Sequence, residues 1–219
     1  MSLGVVTGMR AEAALVRRHT PLVASTGGRV LAADTTATDL LEQGATALMS
    51  FGIAGGLAPD LAPGTLVIGT AVLVRHATIA ADDGWCARLA AALPSARTGL
   101  VLGGDRVLGA ATQKAGLFAR TTALAVDLES GGVARVASAA RVPFVVLRAI
   151  ADPAARDLPP AAIIGLNAAG GIALGAVLAS LWRDRRQLPQ LLQVGRDARV
   201  ARAALVGGVR NLGAGLGMA

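Results

Sequence analysis

A chain of 219 residues that is 53% hydrophobic can bury one sizeable core, and a single cysteine excludes a disulfide framework within it. The net charge of +7 comes almost wholly from arginine, with Lys114 the only lysine, and no basic run or aromatic interleaving in the first 180 residues points to nucleic acid. No G-x-G-x-x-G or G-x-x-x-x-G-K-[ST] occurs, and His19, His76 and Cys86 are too few for a metal site or a Cys–His nucleophile, so no cofactor or metal is expected.

In chain order, residues 3–7 read as a strand that begins without a basic leader, as suits a cytoplasmic protein. Met9 to Arg18 reads as a helix, Arg29 to Asp34 as a strand, and Thr35 to Gln43 as a helix capped by Thr35 or Thr36. Ala47 to Ile53 and Thr65 to Val74 are strands, the second with a bulge near Gly69. A helix over Trp85 to Leu93, a short strand over Gly99 to Leu102 and a mostly helical stretch from Val107 to Arg120 follow. Alternation of this kind predicts an α/β fold, three layers of α/β/α with a central mixed, mostly parallel sheet. His19 at a helix end and His76 in a loop read as surface residues.

The segment from Leu124 to Pro153 organises the chain. It reads as the end of a strand, a helix, and a second strand over Val142 to Ile150 that is nearly continuous in apolar side chains, as in a strand covered on both faces. Carboxylates stand at both strand exits: Asp127 and Glu129 after the first, Asp152 after the second. Open α/β sheets bind ligands outside the carboxyl ends of their strands. The competing reading is local. Asp152 before Pro153 suits a helix N-cap, Asp127 suits another, and Glu129 would then only complement a helix dipole. Against this, Gly131 and Gly132 in the first helical turn would let a ligand approach the backbone, and burial beside so apolar a strand would raise the pKa of Asp152.

From Leu158 to Trp182 no residue is charged, but Pro159, Pro160, Asn167 and four glycines interrupt the run. It reads as a loop and then a buried or interfacial helix over Gly171 to Trp182. Residues 1–206 form one expected domain, in which 183–206 is the basic C-terminal region with a helix from Leu188 to Val206, and 207–219 is a glycine-rich tail expected to fray.

The run Phe51-Gly-Ile-Ala-Gly-Gly-Leu57 with Pro63-Gly64-Thr65, the N-terminal Gly8-Met-Arg-Ala-Glu12, Val126-Asp-Leu-Glu129 and Arg148-Ala-Ile-Ala-Asp152 together resemble the nucleoside phosphorylase superfamily. Over about residues 1–155 they look most like its methylthioadenosine/S-adenosylhomocysteine nucleosidase branch. The resemblance implies cleavage of the N-glycosidic bond of a purine nucleoside. Asp152 then matches the acid that protonates the base at N7, Glu129 the carboxylate that grips the ribose hydroxyls with Leu128 and Asp127 beside it, and Glu12 the residue that activates water. Gly8 and the Ala54–Gly55 backbone match the nucleophile side of the ribose. An acid on the leaving base and hydrogen bonds that strengthen at an oxocarbenium-like sugar are what such a reaction needs.

Ala151-Asp-Pro-Ala-Ala-Arg-Asp-Leu-Pro-Pro160, Ala176-Val-Leu-Ala-Ser-Leu181 and Gln187-Leu-Pro-Gln-Leu-Leu192 look like the hopanoid-associated phosphorylases. That likeness implies a lipid-linked adenine nucleoside, adenosylhopane, as substrate. The arginines at 183, 185, 186, 196, 199, 202 and 210 would then suit peripheral contact with the inner face of an anionic membrane. The alternative is a helix at the subunit interface of a homodimer or higher homo-oligomer, with a solvated basic face. Two departures bear on the nucleophile. Ile53 stands where many members carry Ser or Thr, and Gly8-Met9-Arg10 replaces a Gly-Asp-Pro signature. Inorganic phosphate as co-substrate would need backbone amides and an arginine such as Arg10 or Arg106. Glu12 favours water, and the nearest family name favours phosphate.

Overall fold

The computed structural model describes residues 2–27, 30–163, 179–180 and 182–218. Eight strands form one sheet: β1 (Leu3–Thr7), β2 (Leu22–Ser25), β3 (Ala47–Gly56), β4 (Leu66–Val74), β5 (Ala77–Ala80), β6 (Arg97–Gly103), β7 (Ala125–Asp127) and β8 (Phe144–Asp152). The helices are α1 (Arg10–Val16), α2 (Val30–Glu42), α3 (Asp83–Ala92), α4 (Ala111–Thr121), α5 (Ser130–Ala140), the short α6 (Pro160–Ile163) and the long α7 (Leu188–Leu212).

The mixed α/β expectation holds, with parallel pairing of β1 to β2 and β3, of β3 to β8, and of β4 and β7 to β6. The sheet runs β2-β1-β3-β7-β6-β4-β5, and β8 closes it by pairing parallel to β3 and antiparallel to β4. Strands β3, β7, β6, β4 and β8 therefore form a ring. One irregularity falls at Ala54/Gly55, where β3 also begins to pair with β7; another falls at Gly69/Ala71 in β4, as its glycine predicts. The core lies on both sides of β8, whose Phe144 to Ile150 are all buried.

Three findings correct or add to these expectations. The stretch read as a strand over Arg29 to Asp34 instead opens α2 at Val30, and the strand is the earlier Leu22–Ser25. A short apolar run has no period of its own, so β1, which pairs residue for residue with Leu22 to Ser25, decides between them. His76 lies, exposed as expected, in the turn of an unforeseen β4–β5 hairpin, which Arg75 closes at φ 55°.

The C-terminal tail is the third. Helix α7 continues to Leu212 and packs a buried stripe of Ala201, Leu205, Val209 and Leu212, leaving Arg196, Arg199, Arg202 and Arg210 exposed. Beyond it Leu216 is fully buried, its carbonyl accepts from Trp85 Nε1 at 3.0 Å, and Arg88 donates to the carbonyls of Gly217 and Met218. Glycine-rich composition predicts fraying only where nothing covers the segment; here α3 does. Most of the uncharged stretch, with its expected helix over 171–182, lies outside the described residues. Among those described, no helix is long and apolar enough to cross a membrane.

Candidate active site

Arg148 stands in the middle of apolar β8 with its side chain wholly removed from solvent. A buried guanidinium is tolerable only among carboxylates and hydrogen-bond acceptors. Its Nε lies 3.0 Å from Asp127 Oδ2 and its Nη2 lies 3.3 Å from Glu129 Oε2. Nη2 also donates to Ser50 Oγ at 2.5 Å, and the Ser50 and Ser130 hydroxyls lie 3.0 Å apart.

Asp127 spends both of its oxygens locally. Oδ1 accepts from the amides of Glu129 and Ser130, at 2.8 and 2.7 Å, and so caps α5, while Oδ2 takes the Ser130 hydroxyl and Arg148. Its place is beneath the site as a brace. Gly131 and Gly132 serve packing instead of ligand approach. A Cβ on Gly132 would sit 2.6 Å from Ala33 Cβ of α2, and Gly131 lies against Gly103 of β6.

Glu12, the third residue of α1, reaches back to the Met9 amide with Oε2 at 2.8 Å, the return half of a capping box. Oε1 accepts from the Ile53 amide at 2.8 Å. Between them lies Gly52, where a Cβ would meet Glu12 Oε1 at 2.6 Å and Arg148 Nη1 at 2.8 Å. Both groups therefore overhang the same backbone, and Nη1 is buried with no hydrogen-bond partner. Burial pushes the Glu12 carboxyl above its ordinary range, against the opposing pull of Arg148 and the Ile53, Met9 and Gly8 amides.

Glu129 is buried over Gly8, whose absent Cβ would fall 2.9 Å from Oε1. Thr26 Oγ1 donates to the same oxygen at 3.2 Å. Burial raises this carboxyl to about 7; Arg148 opposes the rise, and the charges of Asp127 and Glu12 add to it. Arg148 stays charged, since the three carboxylates outweigh its own burial.

Asp152 ends β8 and caps no helix, for residues 153–159 form a turn and loop. Its Oδ2 receives the ammonium of Lys114, fully buried on α4, at 2.5 Å, while Oδ1 is buried with no partner. Burial raises its pKa, and the charges of Lys114 and Arg156 partly offset this.

The fold thus gathers Gly8, Glu12 and Glu129 around Arg148. It sets Asp152 farther along the same strand, beside the Ala54–Gly55 bend, with Gly55 paired to Asp152. Leu128 is half-buried next to Glu129. Arg10 and Arg106 do not join the cluster. Arg10 is exposed at the first position of α1, and Arg106 lines a surface groove with Thr112, Gln113, Leu117 and Arg120. Cys86 is buried, and burial with the nearby Asp82 and Asp83 charges pushes its thiol up to about 11, far from a nucleophile's. Among the described residues no cluster suits a metal ion.

Sequence reading passed over Arg148, Lys114, Thr26 and Ser50. The available signals were a lone charge inside an apolar strand and the uniqueness of Lys114.

The family model described as the phosphorylase superfamily matches residues 6–163. Futalosine hydrolase of Streptomyces coelicolor is 34% identical over 125 residues, 48% of this chain and 53% of that protein, so the match spans about half the relative's length. Among solved structures, S-adenosylhomocysteine nucleosidase from Streptococcus pyogenes superposes with a TM-score of 0.69 at 17% identity, covering 97% of this chain and 98% of that one. Futalosine hydrolase of Helicobacter pylori gives 0.65 at 17% identity, covering 95% and 98%. At these identities the structural likeness is one of fold.

Proposed function

The chain belongs to the phosphorylase superfamily and is an enzyme of that family, and from this premise we propose that it cleaves the N-glycosidic bond of a purine nucleoside with water as nucleophile. The observation that carries the choice of water is the pair of groups over Gly52. Glu12 Oε1 is a buried carboxylate oxygen, and Arg148 Nη1 beside it is a buried donor without a partner. A water held between them would donate to Glu12 and accept from Arg148.

In the reaction, that water loses a proton to Glu12 as its oxygen attacks C1′. The C1′–N9 bond breaks with its electron pair on the base, and the base takes the proton of Asp152. Glu129 accepts from the ribose hydroxyls, which grow more acidic as positive charge develops on the sugar. A phosphate dianion would instead meet a site where Arg148 already faces three carboxylates, with Arg10 and Arg106 outside it. The names of the relatives, futalosine hydrolase and S-adenosylhomocysteine nucleosidase, agree with hydrolysis of purine nucleosides.

Base release from purine nucleosides in ¹⁸O-labelled water tests this. Label at the anomeric oxygen, with a rate indifferent to added phosphate, is the expected result; phosphate consumed one-for-one with base would overturn it. Glu12→Gln should abolish release in the same assay.

A lipid-linked adenine nucleoside such as adenosylhopane is a narrower reading of the substrate. It is favoured by the apolar side chains displayed at the start of the C-terminal region: Trp182, 83% exposed, with Leu188 and Leu192 among the exposed Arg183, Arg185 and Arg186. Co-sedimentation with anionic vesicles, lost in Trp182→Ser, is the outcome it requires.

A further inference from the structure

Asp152 is held by the one lysine of the chain, and that lysine is saturated. Lys114 Nζ donates to Asp152 Oδ2 at 2.5 Å, to the Arg156 carbonyl at 2.8 Å and to the Pro153 carbonyl at 3.2 Å. An ammonium has three protons, and all three are used on the five residues that begin with the acid. The side chain is fully buried on α4, an element that otherwise takes no part in the site. Of the two Asp152 oxygens one is thereby occupied, and the other, Oδ1, is left buried and unpartnered.

We propose that Lys114 is a positioning residue for the acid: it clamps Oδ2, presents Oδ1 alone to the leaving base, and sets the pH at which Asp152 gives up its proton. The inference rests on the reading of Asp152 as the acid. If only packing were at stake, an apolar pair in place of Lys114 and Asp152 would serve as well. What an apolar residue could not do is fix which oxygen faces the substrate, or oppose the upward pull of burial on the carboxyl. The other charge bearing on Asp152 is Arg156, in the turn that follows; it is itself engaged by Asp197 of α7, and Asp157 is committed to the Ala111 amide. Lys114 is thus the only direct cationic partner of Asp152 among the described residues.

Because Lys114 is the sole lysine, labelling the protein with [¹³Cε,¹⁵Nζ]lysine yields one NMR resonance that reports on this ion pair without any mutation. Its chemical shift should show an inflection at the pH of the alkaline limb of kcat/KM for purine nucleoside cleavage, and Asp152→Asn should remove the inflection. Lys114→Met and Lys114→Gln, which remove the charge, should move that limb upward by roughly one pH unit or more, because an adjacent cation depresses a carboxyl by about 1–3 units. Lys114→Arg should leave the limb in place. A wild-type resonance flat through the limb, or a limb unmoved in the folded neutral variants, would overturn the proposal. If Asp152→Asn kept near wild-type turnover, the acid reading itself would fail; if that variant collapsed while the lysine resonance stayed flat, only the role of Lys114 would.

Discussion

Glu12, Asp127 and Glu129 share one guanidinium, so full ionisation would leave the cluster with two uncompensated negative charges in a buried site. Asp127 is secured by two amides and a hydroxyl, which leaves Glu12 and Glu129 to carry the strain as raised pKa values. Glu129, at about 7 in the folded protein against 4.5 for an unperturbed glutamate, binds a proton more tightly when folded. Its contribution to stability is therefore complete below about 4.5 and is lost as pH rises through about 7. Urea unfolding at successive pH values should show stability falling across that window, and Glu129→Gln should flatten the slope. The same variant should weaken discrimination between ribo- and 2′-deoxyribonucleosides. Asp152→Asn keeps the shape and loses the proton, so turnover per folded molecule should drop by roughly 10²–10⁴-fold, and the melting temperature should fall too, because buried Lys114 loses its counter-charge.

Among the elements, β8 does most of the positioning. Arg148 and Asp152 stand four residues apart on this strand, with the irregularity in its pairing to β3 between them, and both neighbours of β8 in the sheet are well-buried strands, which keeps its side chains from shifting. Against it β3 supplies Gly52, where any Cβ would drive Glu12 and Arg148 apart. Helix α5 owes its position to Gly132, which lets α2 pack directly onto its first turn. Gly132→Val should therefore cost about 1–3 kcal/mol by overpacking, read as a lower urea midpoint with an unchanged m-value. Activity should fall with it, because Asp127 and Glu129 sit at the end of the helix that would move.

In the molecule as a whole, the C-terminal residues close the end of the sheet away from the chemistry. Gly213 accepts from or donates to nothing at the site; its carbonyl meets His19 Nδ1 at 2.9 Å, and Leu216 covers Trp85. Deleting residues 213–219 should remove about 2–3 kcal/mol and lower the melting temperature by roughly 5–10 °C, with base release per folded molecule intact. Loss of activity at unchanged stability would instead tie the tail to the site.

Alternation of strands and helices, the acids at the ends of β7 and β8, the bulge near Gly69 and the exposed His76 were legible in the residues, because each depends on neighbours a few positions away. The strand at Leu22–Ser25 was not, since its short apolar run becomes a strand only beside β1. Nor was the meaning of Arg148, whose partner Ser50 is 98 residues distant, or of Lys114, which lies 38 residues from the carboxylate it holds. A buried charge takes its role from whatever the fold brings within about 3 Å of it, and no local pattern encodes that. Sequence determined which residues stand where strands end; closure of the sheet through β8 decided which of them gather round Arg148, which brace a helix, and which oxygen of Asp152 is left without a partner.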